Sequence, residues 1–500
     1  MDAAERPGRE APRAGLVACI VAGWSALAAV FAARLAGKGL DDFFITYRYA
    51  LHLARGEGFV FNPGERVFAL TNPGLALLLA AGSRLARIDV PALATVVSGA
   101  SLVALAWLLL RAAARSGRTA EAVAGGTLLV TSSYLWAQQG GEGVPMLALL
   151  AGAAELSRTR PLLAGLLAGA AVWFRPEAAL GVAFLCLLAW SEERAMPLRL
   201  AGAAAAVVGA GLLAAAWYFG SAIPGSLAAK QAMAAGLGGA WAGPRFWLRS
   251  ARLVSHHAGP LWQALVVLGL AGQAPLFARG GRAGRVLVLL SLALAVLYPA
   301  SGVPWFPWYT IPAAVAILYG IAFLAGAVVR GLARPSGAWR RAAAALAGCL
   351  LAAPVAVSLL PASYRWHRAF DWPGYMQRYR SAGTWLAANS APGASVAYYE
   401  VGALGYFSER KVIDLLGIVT PELLPYVRRG DLGAAFLARP ADYAVFDAAR
   451  GGLMPVAAPW FRAAYAPAAS FGELTLYARK PGVPLPSSAG PESHGAGAPR

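Results

Sequence analysis

The sequence predicts an α-helical protein that crosses a membrane many times and ends in a small α/β domain. Of its 500 residues, 58% are hydrophobic and only 13% are charged. Long apolar segments recur from residue 15 to residue 360, which is more apolar surface than a soluble globule of this length needs. After residue 361, shorter segments with the patterns of strands and amphipathic helices replace them.

Clusters of arginine predict the topology, because short cytoplasmic loops are enriched in Lys and Arg. We place the basic N-terminus, residues 1–14, in the cytoplasm, and residues 15–36 then cross outward as an uncleaved first helix. The apolar run at 73–82 is shorter than the roughly 20 residues of a perpendicular span. We therefore interpret it as a juxtamembrane or re-entrant helix within a long outer loop, residues 37–89.

If residues 90–110 return inward, the later arginine clusters all fall on the inner side. They are Arg111, Arg115 and Arg118; Arg158 and Arg160; Arg194 and Arg199; Arg279, Arg282 and Arg285; and Arg330, Arg334, Arg340 and Arg341. This consistency predicts about eleven transmembrane helices over residues 15–360, with juxtamembrane helices besides. Further polar and aromatic loops then join the first one on the outer face, at 138–142, 175–177, 221–257 and 304–309. Because they bring carboxylates, cations and aromatic rings together, we expect a functional pocket there.

The most informative polar residues of the first outer loop are Asp41 and Asp42, just past the end of the first span. Charge near lipid is costly, so an acidic pair at this depth suggests a function. Either residue could instead be only the N-cap of the amphipathic helix that Phe44, Tyr47 and Leu51 predict. The two alternatives are compatible, because neighbouring carboxylates differ in exposure and hydrogen bonding, so that one can act as a base while the other orients.

The C-terminal part, residues 361–480, is predicted to be a small α/β domain outside the cytoplasm. We expect helices at 376–388 and 420–428, and strands at 395–400, 411–415, 441–446 and 473–478. The remaining residues, 481–500, are rich in Pro, Gly and Ser and predict a disordered tail.

Several classes of function are disfavoured by the sequence. The net charge of +19 is spread between apolar spans and forms no single basic face, so we expect no nucleic-acid partner. We find neither a Walker-type loop nor a GxGxxG turn, and the three cysteines lie in apolar spans without zinc or disulfide spacing. We expect no cofactor. A divalent metal at the acidic pair remains possible, although two adjacent aspartates alone are a weak metal signal.

The loop motifs resemble those of the GT-C integral-membrane glycosyltransferases. The resemblance rests on Asp41 to Ala50, Gly56 to Val67, Thr71-Asn72-Pro73, Gly141-Glu142, Arg175-Pro176-Glu177, Tyr218 to Pro224 with Lys230, Trp308 to Pro312, Glu400 to Tyr406 and Lys411 to Gly417. It is strongest with the arabinofuranosyltransferase-like or mannosyltransferase-like branch, and more remote with protein O-mannosyltransferases and the lipid A aminoarabinose transferase. Departures at Phe68-Ala69-Leu70, and at Gly225 where relatives have Asn, affect the expected sugar or acceptor pocket.

This resemblance implies transfer of a sugar from a polyprenyl-phosphate donor to an acceptor hydroxyl of a cell-envelope glycan, lipid or protein, at the outer face of the plasma (inner) membrane. The implied site consists of Asp41 or Asp42 as the base; Arg175, Lys230 and Arg48 for the donor phosphate; and Glu142, Trp308 and Tyr309 for the acceptor or sugar. Simpler roles stay open: Arg175 as a partner of Glu177, Glu142 as a helix cap, and the aromatic residues as an interfacial belt.

The main alternative from another class is a polytopic transporter or flippase for a lipid-linked or phosphorylated substrate. Transporters often contain internal repeats with broken helices in matching positions, and we find no convincing repeat in this sequence. A non-catalytic scaffold for envelope assembly is a third alternative, and it predicts no dependence on the acidic pair.

Overall fold

A computed structural model of the chain describes residues 14–36, 38–237, 243–257, 259–332, 372–448 and 455–487, with scattered positions between 337 and 352. The helices before the C-terminal domain are α1 (Ala14–Leu35), α2 (Asp41–Arg55), α3 (Pro73–Ala86), α4 (Val90–Ala114), α5 (Thr119–Val130), α6 (Ser133–Trp136), α7 (Gly143–Leu156), α8 (Pro161–Phe174), α9 (Ala178–Glu193), α10 (Leu198–Phe219), α11 (Ser226–Gly236), α12 (Phe246–His257), α13 (Gly259–Ala271), α14 (Gln273–Arg279), α15 (Gly281–Ala300) and α16 (Ile311–Leu332). The predicted N-terminal segment and disordered tail fall largely outside the described residues.

Five of the described helices are long and apolar enough to cross a membrane. They are α1, α4, α10, α15 and α16 with the turn before it. Shorter apolar helices accompany them, namely α3, α7, α8 and most of α13. The predicted membrane protein is thus confirmed, and α3, with 14 residues, is as short as the sequence suggests. The figure of about eleven spans stays a prediction, because part of it rests on helices below the length of a perpendicular span.

Small residues let the helices pack closely. On α8, a Cβ atom added to Gly165 would lie 2.3 Å from the Leu200 carbonyl oxygen of α10, and one on Gly169 would lie 2.8 Å from that of Ala204. On α13, a Cβ on Gly269 would meet Ile317 of α16 at 2.5 Å. Lipid supplies no hydrophobic drive between helices, so such close backbone contacts contribute much of the association.

One end of the helix bundle gathers the arginine loops. Arg115 pairs with Glu155 at 2.7 Å, and Arg158 and Arg282 both pair with Glu192, at 2.8 and 2.5 Å. Arg115 and Arg158 lie just after α4 and α7, Glu155 and Glu192 lie at the C-terminal ends of α7 and α9, and Arg282 lies at the start of α15. The loops that the arginine pattern places on one side therefore do meet at one end of the bundle.

The C-terminal domain is built on a mixed five-stranded sheet with strand order β2-β1-β3-β5-β4. Its elements are α17 (Gln377–Asn389), β1 (Ser395–Tyr398), α18 (Gly402–Ser408), β2 (Lys411–Asp414), α19 (Leu424–Arg428), α20 (Leu432–Ala438), β3 (Tyr443–Asp447), α21 (Pro459–Ala464), β4 (Tyr465–Phe471) and β5 (Leu474–Arg479). Strand β1 is parallel to β2 and β3, whereas β5 is antiparallel to β3 and β4. Our predictions missed β4 and the short helices α18, α20 and α21. In β4 the side chains are mostly small and include a proline, so the strand has little β propensity of its own.

The C-terminal domain docks onto the loop between α2 and α3 through buried polar contacts. The Arg48 guanidinium donates to the carbonyl oxygens of Gly405 and Arg410, at 2.5 and 2.6 Å, and to that of Phe61 at 2.7 Å. The Asn62 side chain accepts the Val412 N–H and donates to the Val412 carbonyl, so it extends β2 by one amide. The domain and the loop thus form one continuous structure.

Candidate active site

The acidic pair opens helix α2, but its two members face different surroundings. Leu40 occupies the N-cap position, and neither aspartate caps its own helix. The Asp41 carboxylate is buried and accepts the backbone N–H groups of Gly402 and Ala403, at 3.1 and 2.8 Å, in the first turn of α18. Asp42 is half-buried and lines a cavity beside α2. The structure therefore gives Asp41 a docking contact, whereas Asp42 lines the cavity.

That cavity is small, about 60 Å³, and residues from distant loops line it. Its polar lining is Asp42, Thr46, Thr71, Asn72, Glu142, Ser226 and Lys230, and its apolar lining includes Leu70, Trp308 and Ile418. Pockets that enclose whole small ligands measure about 300–1,000 Å³, so in this state only a small group such as a phosphate fits. Four of the predicted site residues are thus brought together, namely Asp42, Glu142, Lys230 and Trp308.

Lys230 projects from α11 into a set of aromatic rings. Its Nζ atom lies 5.0, 5.6 and 5.4 Å from the ring centroids of Phe306, Trp308 and Tyr309, and it donates to the Tyr309 hydroxyl at 3.2 Å. Burial alone would lower the pKa of the ammonium, but Tyr309 and then Asp42 raise this pKa above its usual range. Lys230 is therefore a persistent cation at the wall of the cavity, which suits a phosphate ligand.

Arg175 lies behind the cavity in a buried ion-pair network. It pairs with Glu142 at 2.5 Å and also with Glu177, which accepts a hydrogen bond from the Tyr298 hydroxyl. The other Glu142 oxygen accepts from the Asn72 amide at 2.9 Å. Arg175 thus orients Glu142 in the cavity wall, and the ring of Tyr309 lies 5.4 Å from the Arg175 guanidinium carbon. Arg175 thus pairs with Glu177, as one of the sequence alternatives predicts, and also with Glu142, which the sequence did not suggest as its partner.

Arg48 lies away from the cavity lining. Its side chain is 1% exposed, and its N–H groups donate to backbone carbonyls of the loop between α2 and α3 and of the C-terminal domain. Five donors in a rigid fork suit this bridging role. Arg48 thus joins the loop between α2 and α3 to the C-terminal domain, and its predicted phosphate contact stays a prediction.

The C-terminal domain contributes Ile418 to the cavity wall. The Asp414 carboxylate, at the end of β2, accepts the N–H groups of Leu416 and Val419, both at 2.9 Å, and so fixes the tight turn that holds Ile418. Asp414 itself is 0% exposed. The position of Ile418 in the cavity wall therefore depends on a buried carboxylate of the sheet.

Three carboxylates at the domain contact offer oxygens for a divalent cation. One oxygen each of Asp41, Asp42 and Glu400 lies within 4.8 Å of the others. Hard cations such as Mg²⁺ and Mn²⁺ prefer oxygen ligands of this kind. The donor set fits such an ion, and Glu400, to which the sequence assigned no metal role, is its third member.

Sequence reasoning also missed Asn72 and Ser226 as members of the cavity wall. Asn72 lies in the Thr-Asn-Pro motif but was given no role, although its amide joins Thr46 to Glu142. Ser226 precedes Lys230 by four residues, and this spacing places both side chains on one face of a helix. The spacing was a usable signal for Ser226.

Comparisons with known proteins bear on this architecture. A domain of unknown function, DUF8728, matches residues 365–488, and no curated protein sequence matches the chain. The structure of ArnT from Cupriavidus metallidurans bound to undecaprenyl phosphate matches with a TM-score of 0.54 at 13% identity, over 95% of this chain and 99% of that one. The oligosaccharyltransferase AglB from Archaeoglobus fulgidus, with an inhibitory peptide and a dolichol-phosphate, matches with a TM-score of 0.54 at 14% identity, over 94% of this chain and 75% of that one. The chain has the GT-C fold.

The predicted remote resemblance to the GT-C proteins is confirmed at the level of the fold by these structures. The arabinofuranosyltransferase AftD from mycobacteria also matches, with a TM-score of 0.47 at 15% identity over 94% of this chain and 40% of that one. At that distance it decides nothing about the branch, which stays a prediction. Within this GT-C fold, α2 and the loop after it, α11 and the segment before α16 surround the cavity that Asp42 and Lys230 share.

Proposed function

We propose that this protein is a membrane glycosyltransferase that transfers a sugar from a polyprenyl-phosphate donor to an acceptor hydroxyl on the outer face of the plasma membrane. One observation carries the proposal: within a GT-C fold, a half-buried carboxylate, Asp42, and a persistent cation, Lys230, line the same small cavity. The acceptor is a glycan, lipid or protein of the cell envelope.

The chemistry needs few groups. In a direct displacement, Asp42 accepts the proton of the acceptor hydroxyl, while the hydroxyl oxygen forms a bond to the anomeric carbon of the sugar. The bond between that carbon and the phosphate oxygen breaks, and the phosphate takes the electron pair. Lys230 stabilises this charge, because a cation fixed beside a developing negative charge stabilises it more strongly in a site that excludes water than in bulk water. A donor on an isoprenoid chain reaches such a site laterally from the bilayer.

The remaining predicted residues take supporting roles in this proposal. Glu142, held by Arg175 and Asn72, orients the acceptor or the sugar. Trp308 in the cavity wall, with Tyr309 beside Lys230, offers an aromatic surface to a sugar ring once the cavity widens around the donor. Arg175 adds positive charge behind the cavity. A divalent cation, held by Asp41, Asp42 and Glu400, would supply electrophilic assistance to the phosphate.

The test is a transfer assay with the purified full chain in liposomes, using a panel of polyprenyl-phosphate sugars and an envelope extract as acceptor. We expect one donor to be consumed with release of polyprenyl phosphate, and Asp42→Asn to abolish this release. The assay is run with and without a chelator, which shows whether a divalent ion is required. Movement of an intact lipid-linked sugar across the bilayer, without cleavage of any donor, would favour the transporter alternative.

A further inference from the structure

Ser226 is the one hydroxyl of the cavity wall that is buried without a partner among the described residues. Its side chain is 4% exposed, and its Oγ atom has no hydrogen-bond partner there. The hydroxyl of Thr46, in the same wall, donates to Asn72 at 3.0 Å. A buried hydroxyl left unpaired costs free energy, so its retention beside the cavity of a binding protein points to a ligand.

The hydroxyl stands at the first helical residue of α11, an 11-residue helix. The first N–H groups of a helix have no carbonyl partner within it, and this end carries the positive pole of the helix dipole. The Gly225 N–H donates to the Phe68 carbonyl at 2.8 Å, which ties the start of α11 to the loop that forms the cavity wall. The start of the helix is therefore fixed against the cavity.

Lys230 lies one turn further along the same face, and both side chains line the cavity. Side chains of a helix tilt towards its N-terminus, which directs the Lys230 side chain towards the turn that holds Ser226. The carboxylates of Asp42 and Glu142 also line this cavity. Glu142 is already paired with Arg175 and Asn72, whereas a hydroxyl donor, a cation and a helix N-terminus together favour an anion.

We propose that Ser226, at the start of α11, contacts the donor phosphate beside Lys230, with its hydroxyl donating to a non-bridging phosphate oxygen. This inference rests on the proposed function and names a residue that binds the phosphate of the leaving group. It assigns Ser226 a direct substrate contact. The ligand chemistry is a phosphate monoester or diester anion on an isoprenoid chain.

The experiment measures binding of undecaprenyl phosphate to the purified full chain in nanodiscs, with undecaprenol as the uncharged control lipid. We expect Ser226→Ala to weaken binding of the phosphate about 10-fold, the value for loss of one hydrogen bond to a charged group. Ser226→Thr keeps a hydroxyl and should restore most of the affinity. The matched control is Ser221→Ala, an exposed serine of the same loop whose Oγ pairs only with Ile223 among the described residues; it should bind like the wild type.

A second readout separates ligand binding from a structural role. Because the Ser226 hydroxyl has no partner in the described part of the chain, Ser226→Ala should leave the melting temperature of the unliganded protein unchanged or raise it. Its stabilisation by undecaprenyl phosphate should shrink. A lower unliganded melting temperature with equal loss for both lipids would show a structural role and overturn the inference.

Two further outcomes distinguish this inference from the proposed function. If the wild type binds undecaprenyl phosphate and Ser226→Ala binds it equally well, Ser226 makes no phosphate contact, and the glycosyltransferase proposal stands. If the wild type binds undecaprenyl phosphate no better than undecaprenol, the donor class is wrong and both proposals fall together.

Discussion

The carboxylate of Asp41 accepts the backbone N–H of Ala403 at 2.8 Å, across 362 residues of sequence. This contact joins the start of α2 to the first turn of α18 in the C-terminal domain. Asp42, the next residue, faces the cavity instead. Two adjacent residues of one helix thus have different surroundings: Asp41 holds two parts of the chain together, and Asp42 lines the cavity.

Substitution of the two aspartates should have different effects. We expect Asp42→Asn to lower the turnover number by about 10²–10⁴-fold, the usual contribution of a general base, and to leave thermal stability near that of the wild type. Asp41→Asn should instead lower the melting temperature, because it weakens charge-assisted bonds to the N–H groups of Gly402 and Ala403. Both quantities are measured on the purified chain, with donor cleavage and a thermal scan.

Two results would contradict this division of roles between Asp41 and Asp42. If both variants fold and transfer sugar at the parental rate, neither aspartate is the base. If Asp41→Asn alone loses the chemistry at full stability, the roles of the two residues are exchanged.

Gly402 should not tolerate a side chain. A Cβ atom there would lie 1.9 Å from the backbone oxygen of Asp41, too close for any real contact. We expect Gly402→Ala to separate α18 from α2 and to destabilise the docked domain by about 1–3 kcal/mol, as overpacking does. Hydrogen exchange of segment 402–410 should rise. The control is Gly393→Ala, in the same domain, where a Cβ would meet nothing within 4 Å.

Removal of Arg175 should destabilise the protein. Arg175→Met leaves the buried carboxylates of Glu142 and Glu177 without their cation, and breaking a buried pair from one side costs about 3–5 kcal/mol. We expect a large fall in the melting temperature, which addition of Glu142→Gln and Glu177→Gln should largely reverse.

The triple variant also tests the predicted phosphate contact of Arg175. If Arg175 acts only through Glu142 and Glu177, the triple variant regains stability and binds undecaprenyl phosphate like a Glu142→Gln, Glu177→Gln protein. If the guanidinium also contacts the phosphate, the triple variant is stable but still binds the lipid more weakly than that double variant.

Much of the fold follows from local sequence features. The length and hydropathy of the apolar runs predict the helices, and alternating apolar residues predict β1, β2, β3 and β5. The spacing of Arg clusters predicts which loops share an end of the bundle. These features can be read from short stretches of sequence, or from the enrichment of Arg in every second loop.

The roles within the site depend on contacts that no local pattern encodes. Asp41 and Asp42 are equivalent in sequence, and only α18, some 360 residues away, tells them apart. Arg48 is predicted to contact a phosphate, whereas in the structure its N–H groups donate to the carbonyl oxygens of Gly405 and Arg410. In both cases the contact is made with a backbone group of the C-terminal domain. Almost every residue type carries the same backbone N–H and C=O groups, so the sequence does not reveal such a contact.

The stability of the C-terminal domain should depend on pH through Asp414. Burial raises the pKa of this carboxyl to about 6 from 3.8, although N–H bonds from Val419 and Leu416 oppose the rise. The folded state therefore binds the proton more tightly than the unfolded state, and stability falls as the pH rises from 3.8 to 6. A tenfold difference in proton affinity is worth about 1.4 kcal/mol, so the loss amounts to about 3 kcal/mol.

Melting temperatures of the wild type and of Asp414→Asn across this pH range measure the effect. We expect the difference between the two proteins to change through the range, because the amide does not titrate. Asp442→Asn, at an exposed position of the same domain, should keep the pH dependence of the wild type. An identical profile for Asp414→Asn would show that this carboxyl does not titrate there.

The orientation of the bundle can be tested with single cysteines at its two ends. Ser116 follows α4 at the arginine end, and Ser221 is an exposed residue between α10 and α11, at the cavity end. Ser226 is a poor probe, because it is 4% exposed. In a background with Cys19, Cys186 and Cys349 replaced by Ala, we expect an impermeant maleimide to label Ser221→Cys in intact cells, and Ser116→Cys only after permeabilisation.

The labelling result also decides where the chemistry takes place. Arginine loops remain on the cytoplasmic side of a membrane, so the cavity, at the other end, should face outward. Labelling of Ser116→Cys in intact cells, with Ser221→Cys protected, would turn Asp42 and Lys230 towards the cytoplasm. An outer-face acceptor would then be out of reach, and the proposed function would need a donor and an acceptor on the inner leaflet.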